Sequence, residues 1–356
     1  MSPRQRVEIS LRGGHCDRVP FTIYECMIPQ CTAERLLRNR SLCIVQRAVN
    51  VVKSHRPNVE VRQEIFTQDG KRLTRHHIRT PAGGLTMLTE NAGFTTWYHQ
   101  RMFKSPDDYK AILAYIRDEQ VEENYAAFLK AQENLGEDFI LRAGLALEPL
   151  QELISGQIMD MEVFCLEWME RRDEVLKLYE AIRENRRQRY PIVAKSPALF
   201  ANYGGNVVAQ IIGLETFQKY YLPDYNEAAE ILHKHGKLLG SHFDDDCKLL
   251  APAIARTDLD YIEAFTPFPG SDMTLAEARQ AWPNKVLWIN FPSSQHLKSD
   301  AEVEAITVDL LEQVPTMDGL IVGITEDMPP DRWQQSCTAI MDGLDRHARQ
   351  QPQRYC

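Results

Sequence analysis

The run Lys237-Leu238-Leu239-Gly240-Ser241-His242-Phe243-Asp244-Asp245-Asp246 opens as an apolar strand and closes on one imidazole and three carboxylates. Side chains alternate along a strand, so His242 and Asp244 share a face and Phe243 takes the other. That spacing at a strand end can bring one nitrogen and one oxygen to a single small ion. The competing reading is structural: an aspartate at a helix start accepts free backbone N–H groups, and Asp246 is the residue expected to do so. Other acidic or polar residues close further strands, namely Glu25, the Asn202/Tyr203 pair, Glu263, Asn290 and Glu326. Like charges gathered at one mouth repel unless a cation or a substrate proton intervenes.

The elements that carry these residues alternate. The pattern predicts a helix over 3–12, a strand over 17–25 ending in Glu25, and a helix over 32–53. Residues 59–67, 71–80 and 85–90 alternate with period two, with Pro81-Ala82-Gly83-Gly84 as a turn, and read as a small antiparallel β-hairpin insertion. Ser105 and Pro106 start the helices that fill most of 106–134. Strands at 139–144, 198–203, 237–243, 259–265, 285–291 and 319–325 then alternate with helices, the last helix beginning after Pro329-Pro330. Such alternation builds a parallel sheet. About eight units fit an α/β fold of the (β/α)8 TIM-barrel type, one domain over 1–356 with no linker. Catalytic groups in such barrels sit at the C-terminal ends of the strands.

Composition narrows the partners. The 356 residues are 44% hydrophobic and 26% charged, with a net charge of −9 and a pI near 5.6. Scattered basic residues argue against nucleic acid, which wants a clustered basic surface. No apolar core of signal-peptide length opens the chain, and no run approaches the ~18 residues of a membrane helix. The eight cysteines (16, 26, 31, 43, 165, 247, 337 and 356) form no CxxC, which fits reduced thiols in a cytoplasmic protein. His76-His77 alternate across a strand and read as surface. Trp97, Tyr98, Phe265 and Trp288 could line an aromatic pocket, with core packing favoured for Trp288.

In two stretches the chain resembles the uroporphyrinogen decarboxylase superfamily, which also holds zinc-dependent methyltransferases that serve corrinoid proteins. The opening Arg4-Gln5-Arg6-Val7, Leu11-Arg12-Gly13-Gly14 and Asp17-Arg18-Val19-Pro20 is similar to its N-terminal signature. Phe217-Gln218-Lys219-Tyr220-Tyr221-Leu222-Pro223-Asp224-Tyr225, His233-Lys234-His235-Gly236 and His242 resemble its central motif. The resemblance implies a single barrel. The decarboxylases carry an arginine-rich clamp after the first strand, where this chain has Tyr24-Glu25-Cys26-Met27-Ile28-Pro29-Gln30-Cys31. Their serine is matched by Val207, and their late Gly-His-Gly by Gly323-Ile324-Thr325-Glu326-Asp327. A tetra-acidic porphyrinogen would meet Glu25 instead of arginines, so porphyrinogen decarboxylation is the weaker branch.

The methyltransferase branch holds zinc with His-x-Cys on one strand and a distant cysteine on the last. The matching positions are His242, Asp244 and Glu326, so both thiolates have become carboxylates. An N,O,O set suits Zn2+ and also admits manganese or iron. Cys247 is a displaced alternative ligand. A metal there would act as a Lewis acid on an aryl methyl ether, with the methyl group passing to a corrinoid supplied by a separate protein. Glu25 or Glu263 could donate a proton or orient the metal's ligands, and Asn290 and Tyr203 complete the candidate catalytic set. Alternatives are a related lyase acting on another carboxylated substrate, or a barrel that only binds a small ligand. A homodimer is compatible with each.

Overall fold

In the computed structural model, which describes residues 1–93 and 95–355, short runs rich in branched and aromatic residues become strands. They are β1 (Phe21–Tyr24), β2 (Leu42–Gln46), β3 (Val52–His55), β4 (Glu60–Gln68), β5 (Lys71–Thr80), β6 (Gly83–Ala92), β7 (Thr95–Gln100) and β8 (Gln120–Glu123). Next come β9 (Phe139–Leu141) and β10 (Ala143–Gly144), parted by Arg142 alone. The series ends with β11 (Phe200–Tyr203), β12 (Leu238–His242), β13 (Tyr261–Phe265), β14 (Val286–Asn290) and β15 (Leu320–Ile324). The chain packs as two compact units. One comprises 1–51, 124–144 and 193–356, the other 52–123 and 145–192.

The first unit is a parallel sheet in the order β10-β11-β12-β13-β14-β15-β1-β2-β9. Its two outermost strands are consecutive in the chain through Arg142, so the sheet is a nearly closed α/β barrel of the TIM type. Register sets what faces inward. Gly240 pairs with Tyr261 and His242 with Glu263, while Trp288 pairs with Ile321 and Asn290 with Gly323. Tyr24, Val45, Ile140, Phe200, Tyr261, Trp288 and Ile321 belong to one buried cluster. Its polar tips are satisfied: Tyr261 donates to the Ala201 carbonyl at 2.6 Å and Trp288 Nε1 to Thr22 Oγ1 at 2.9 Å.

Gly240 is required by this packing. A Cβ there would lie 2.1 Å from the Tyr261 ring, whose neighbours leave it no room to move. Gly240→Ala is therefore expected to cost about 1–3 kcal/mol through overpacking. A urea midpoint equal to the wild type's would refute this account of the core.

Strand β13 carries a bulge directly after Glu263. Ala264 sits in the left-handed region at φ 60°, and the register shifts so that Phe265 pairs with Ile289. A regular strand would aim Phe265 the same way as Glu263. The extra residue turns it to the outer face, where it meets Trp282 edge-on at 5.6 Å. Trp288 lies in the barrel core, and Phe265 is likewise a packing residue.

The second unit holds an antiparallel meander, β4-β5-β6-β7, and the two-stranded pair β3-β8. The insertion is thus larger than a hairpin. Asp69-Gly70, both at positive φ, make the β4–β5 turn, with Pro81-Ala82 between β5 and β6. His76 bonds Thr89 Oγ1 at 2.9 Å within it. The helix expected over 32–53 stops at Asn39, because Ser41 takes φ 81° and Leu42–Gln46 becomes β2. Strand β8 likewise interrupts the helices of 106–134. Ser105 and Asp108 cap a 3-10 turn at the expected start. No helix among the described residues is long and apolar enough to cross a membrane.

Candidate active site

Three barrel strands and the Arg142 link converge on one carboxylate carried by a fourth strand. Glu263, at the centre of β13 just before its bulge, has no exposed side-chain surface. Its Oε1 accepts from the Tyr24 hydroxyl and from Arg142 Nη1 at 2.8 Å. Its Oε2 faces His242 Nδ1 at 2.6 Å and accepts from Asn202 Nδ2 at 3.3 Å. The other ring nitrogen, His242 Nε2, lies 3.2 Å from Asp244 Oδ2. The imidazole is thus held at both ends, as the shared strand face requires. His242, Asp244 and Arg142 keep 12%, 18% and 11% of their side chains exposed, so the network is open to solvent on their side.

The charges explain one another. Burial opposes ionisation of His242, yet the Glu263 charge and the bonds to Asp244 and Glu263 outweigh it, raising its pKa to about 10. Burial likewise pushes the Glu263 carboxyl up, but Arg142 and then His242 hold it well below the ordinary carboxylate range. The Tyr24 phenol is pushed upward, first by burial. At neutral pH the network is therefore Arg142 and His242 as cations, Glu263 as anion and Tyr24 neutral.

This fixes a pH window. A histidine raised above its unfolded value of 6.5 gives stability that is whole below that value and lost as pH climbs through about 10. Glu263, depressed below 4.5, gives stability present above that value and lost as pH falls. His242 should accordingly stay an imidazolium through pH 9 by nitrogen-15 NMR. Titration near its ordinary value would overturn the assignment.

The remaining expected residues distribute as follows. Glu25 pairs with Arg47 at 3.2 Å, and that guanidinium covers the Tyr24 ring at 3.6 Å. Asn290 braces the mouth, its Oδ1 accepting from the Thr325 N–H at 2.9 Å. Of the Asn202/Tyr203 pair, Asn202 enters the network, and Tyr203 lies edge-on to Tyr225 at 5.6 Å in the buried outer layer. Buried Asn202 Oδ1 has no partner among the described residues, an acceptor left open. Glu326 accepts from Ser293 Oγ at 2.7 Å. Asp246 bonds Gln210 at 2.8 Å, and Asp272 instead accepts the N–H groups of Cys247 and Lys248 at 3.0 and 3.1 Å.

His242, Asp244 and Glu326 do not form the three-ligand metal site. Among the described residues no three His, Cys, Asp or Glu side chains are grouped to hold an ion, and Glu326 accepts from Ser293. Tyr24 and Arg142 are the residues that sequence reasoning missed. Arg142 had a signal, being a lone cation inside the apolar run Phe139-Ile140-Leu141 and Ala143.

The sequence matches no protein-family profile and no curated protein. In fold, the chain is similar to a methyltransferase from Methanosarcina mazei, with a TM-score of 0.57 at 11% identity, over 97% of this chain and 99% of that one. A pneumococcal exo-β-D-N-acetylglucosaminidase module gives 0.41 at 11% identity, over 96% and 87% of the two chains. A sugar phosphate isomerase/epimerase from Parabacteroides distasonis gives 0.38 at 12%, over 92% and 93%. The likeness to the methyltransferase shows a shared barrel fold.

Proposed function

We propose that the chain is a barrel methyltransferase that takes a methyl group from a small methylated substrate, an aryl methyl ether, with His242 as the proton donor. The observation that carries this reading is the clamped imidazolium, 2.6 Å from Glu263 and 3.2 Å from Asp244, with its pKa raised to about 10. Phenolate leaves poorly without a proton, and phenolic hydroxyls titrate near ~10. A cationic imidazole fixed at that place can supply the proton as the C–O bond breaks. The ether C–O bond breaks with its electron pair going to oxygen, that oxygen takes the Nε2 proton, and the methyl carbon bonds to the acceptor. Asp244 and Glu263 hold the ring in place, and Arg142 keeps Glu263 ionised. The acceptor in this reading is a cobalt(I) corrinoid carried by a separate protein. The fold likeness to a methyltransferase supports the class by analogy.

The test mixes the purified protein with free cob(I)alamin and a panel of aryl methyl ethers. Phenol and methylcobalamin are expected in equal amounts. No phenol from any ether would sink the substrate class. One tightly bound divalent metal per chain in protein purified without chelator, lost on His242→Ala, would replace the proton donor by a metal-centred reading.

A further inference from the structure

The second unit contains a charged cavity of its own, lined by three arginines and two glutamates. A cavity of about 220 Å³ is lined by Arg56, Arg186, Arg189, Glu119, Glu152 and Asn185 among others. All six belong to 52–123 and 145–192, the residues of that unit. Arg186 and Arg189 are 4% and 9% exposed, and Glu119 6%. Burying the Arg186 and Arg189 guanidiniums costs heavily unless anions meet them, and Arg56 closes the group with 26% of its side chain exposed.

Two carboxylates are shared among the three. Glu119 takes Arg189 Nη2 on one oxygen, and on the other Arg56 Nη2 at 3.2 Å and Asn185 Nδ2 at 3.1 Å. Glu152 takes Arg186 Nη2 at 3.1 Å. Two carbonyls accept Nε groups, Tyr115 from Arg56 at 3.0 Å and Leu147 from Arg186 at 2.9 Å. These bonds use Nε or Nη2, and none uses an Nη1. Arg189 Nε is buried with no partner among the described residues. The count leaves one positive charge in excess and guanidinium N–H groups to spare. Burial also raises the pKa of Glu152, which weakens the anionic side further.

We infer that this chamber is a binding site for a small oxyanion, an inorganic phosphate or a small carboxylate, held by Arg56, Arg186 and Arg189. Guanidiniums donate paired N–H groups to the oxygens of either class, and these charge-assisted bonds are stronger than neutral ones. The volume takes several waters, at ~30 Å³ each, or one such anion. The site is independent of the barrel chemistry, because no residue of the His242 network belongs to its unit.

The test is calorimetric titration of the full chain with phosphate, acetate and succinate, at constant ionic strength set with chloride. Saturable binding of at least one is expected, and the tighter of phosphate and carboxylate names the natural class. Arg56→Gln should weaken binding about tenfold or more. Glu152→Gln, which removes a competing negative charge, should tighten it several-fold. Opposite signs are the diagnostic result, since a purely structural ion network would make both changes harmful or neutral. No binding by any of the three at 10 mM, roughly the weak limit for a specific site, overturns the inference. So does a shift of the same sign in both variants, each checked by melting to be folded.

Discussion

His242→Gln is expected to lower methyl transfer from an unactivated aryl ether by about 10²–10⁴-fold, with KM for the ether changed much less. Glutamine can still place an N–H near Glu263 but has no acidic proton to give. The imidazole it replaces is positioned from both ends, at 2.6 Å from Glu263 and 3.2 Å from Asp244, so orientation is supplied and the proton is what is lost. The decisive readout is therefore the leaving group. Ethers of nitro-substituted phenols expel a stable phenolate without help, and with them the penalty of His242→Gln should shrink towards unity. An equal loss for acidic and ordinary phenols would assign His242 to packing or to binding and end the proton-donor role.

Arg142→Met should cost about 3–5 kcal/mol of stability, since it strips a buried carboxylate of its strongest partner. The Glu263 side chain has no exposed surface, and Arg142 lies 2.8 Å from it with 11% of its own side chain exposed. Without the guanidinium, burial dominates and the Glu263 pKa rises. The second change Glu263→Gln in the same chain should restore much of the loss, because the stranded charge goes with it. Urea unfolding of the two variants and the wild type decides the matter. A single variant as stable as the wild type would show that the pair is not what keeps Glu263 ionised.

Legibility in the sequence followed the strength of local pattern. The strands of 238–324 were readable because each is a short apolar run bounded by turns and helix starts, several of them buried throughout. Leu42–Gln46 was misread, because a short apolar run behind a helix has no period of its own and only the Ser41 backbone separates the two. His242 and Glu263 could be picked out as strand ends, yet their contact at 2.6 Å depends on the pairing of β12 with β13. The same limit explains Tyr203 and Asn202: alternation says they point apart, and only register says which points in. Glu326 lies past the end of β15, where no periodicity constrains a side chain, and Ser293 decides its place. Arg142 was overlooked for a different reason. A cation inside an apolar run carries no periodicity of its own, and only burial shows that it needs a carboxylate across the barrel.

The β1–β15 pairing has a consequence for how the protein is made. Phe21 pairs with Val322 and Ile23 with Ile324, so the seam of the barrel joins the opening and closing stretches of the chain. On the ribosome, residues up to 192, which complete the second unit, emerge well before β15 exists. Until then β1 can use only its β2 side, and its other edge stands open to any strand it meets. Nascent chains of this protein thus pass through a long interval with an unsealed edge. Holdase chaperones and low synthesis temperature should raise the yield of folded chain more than any single stabilising substitution.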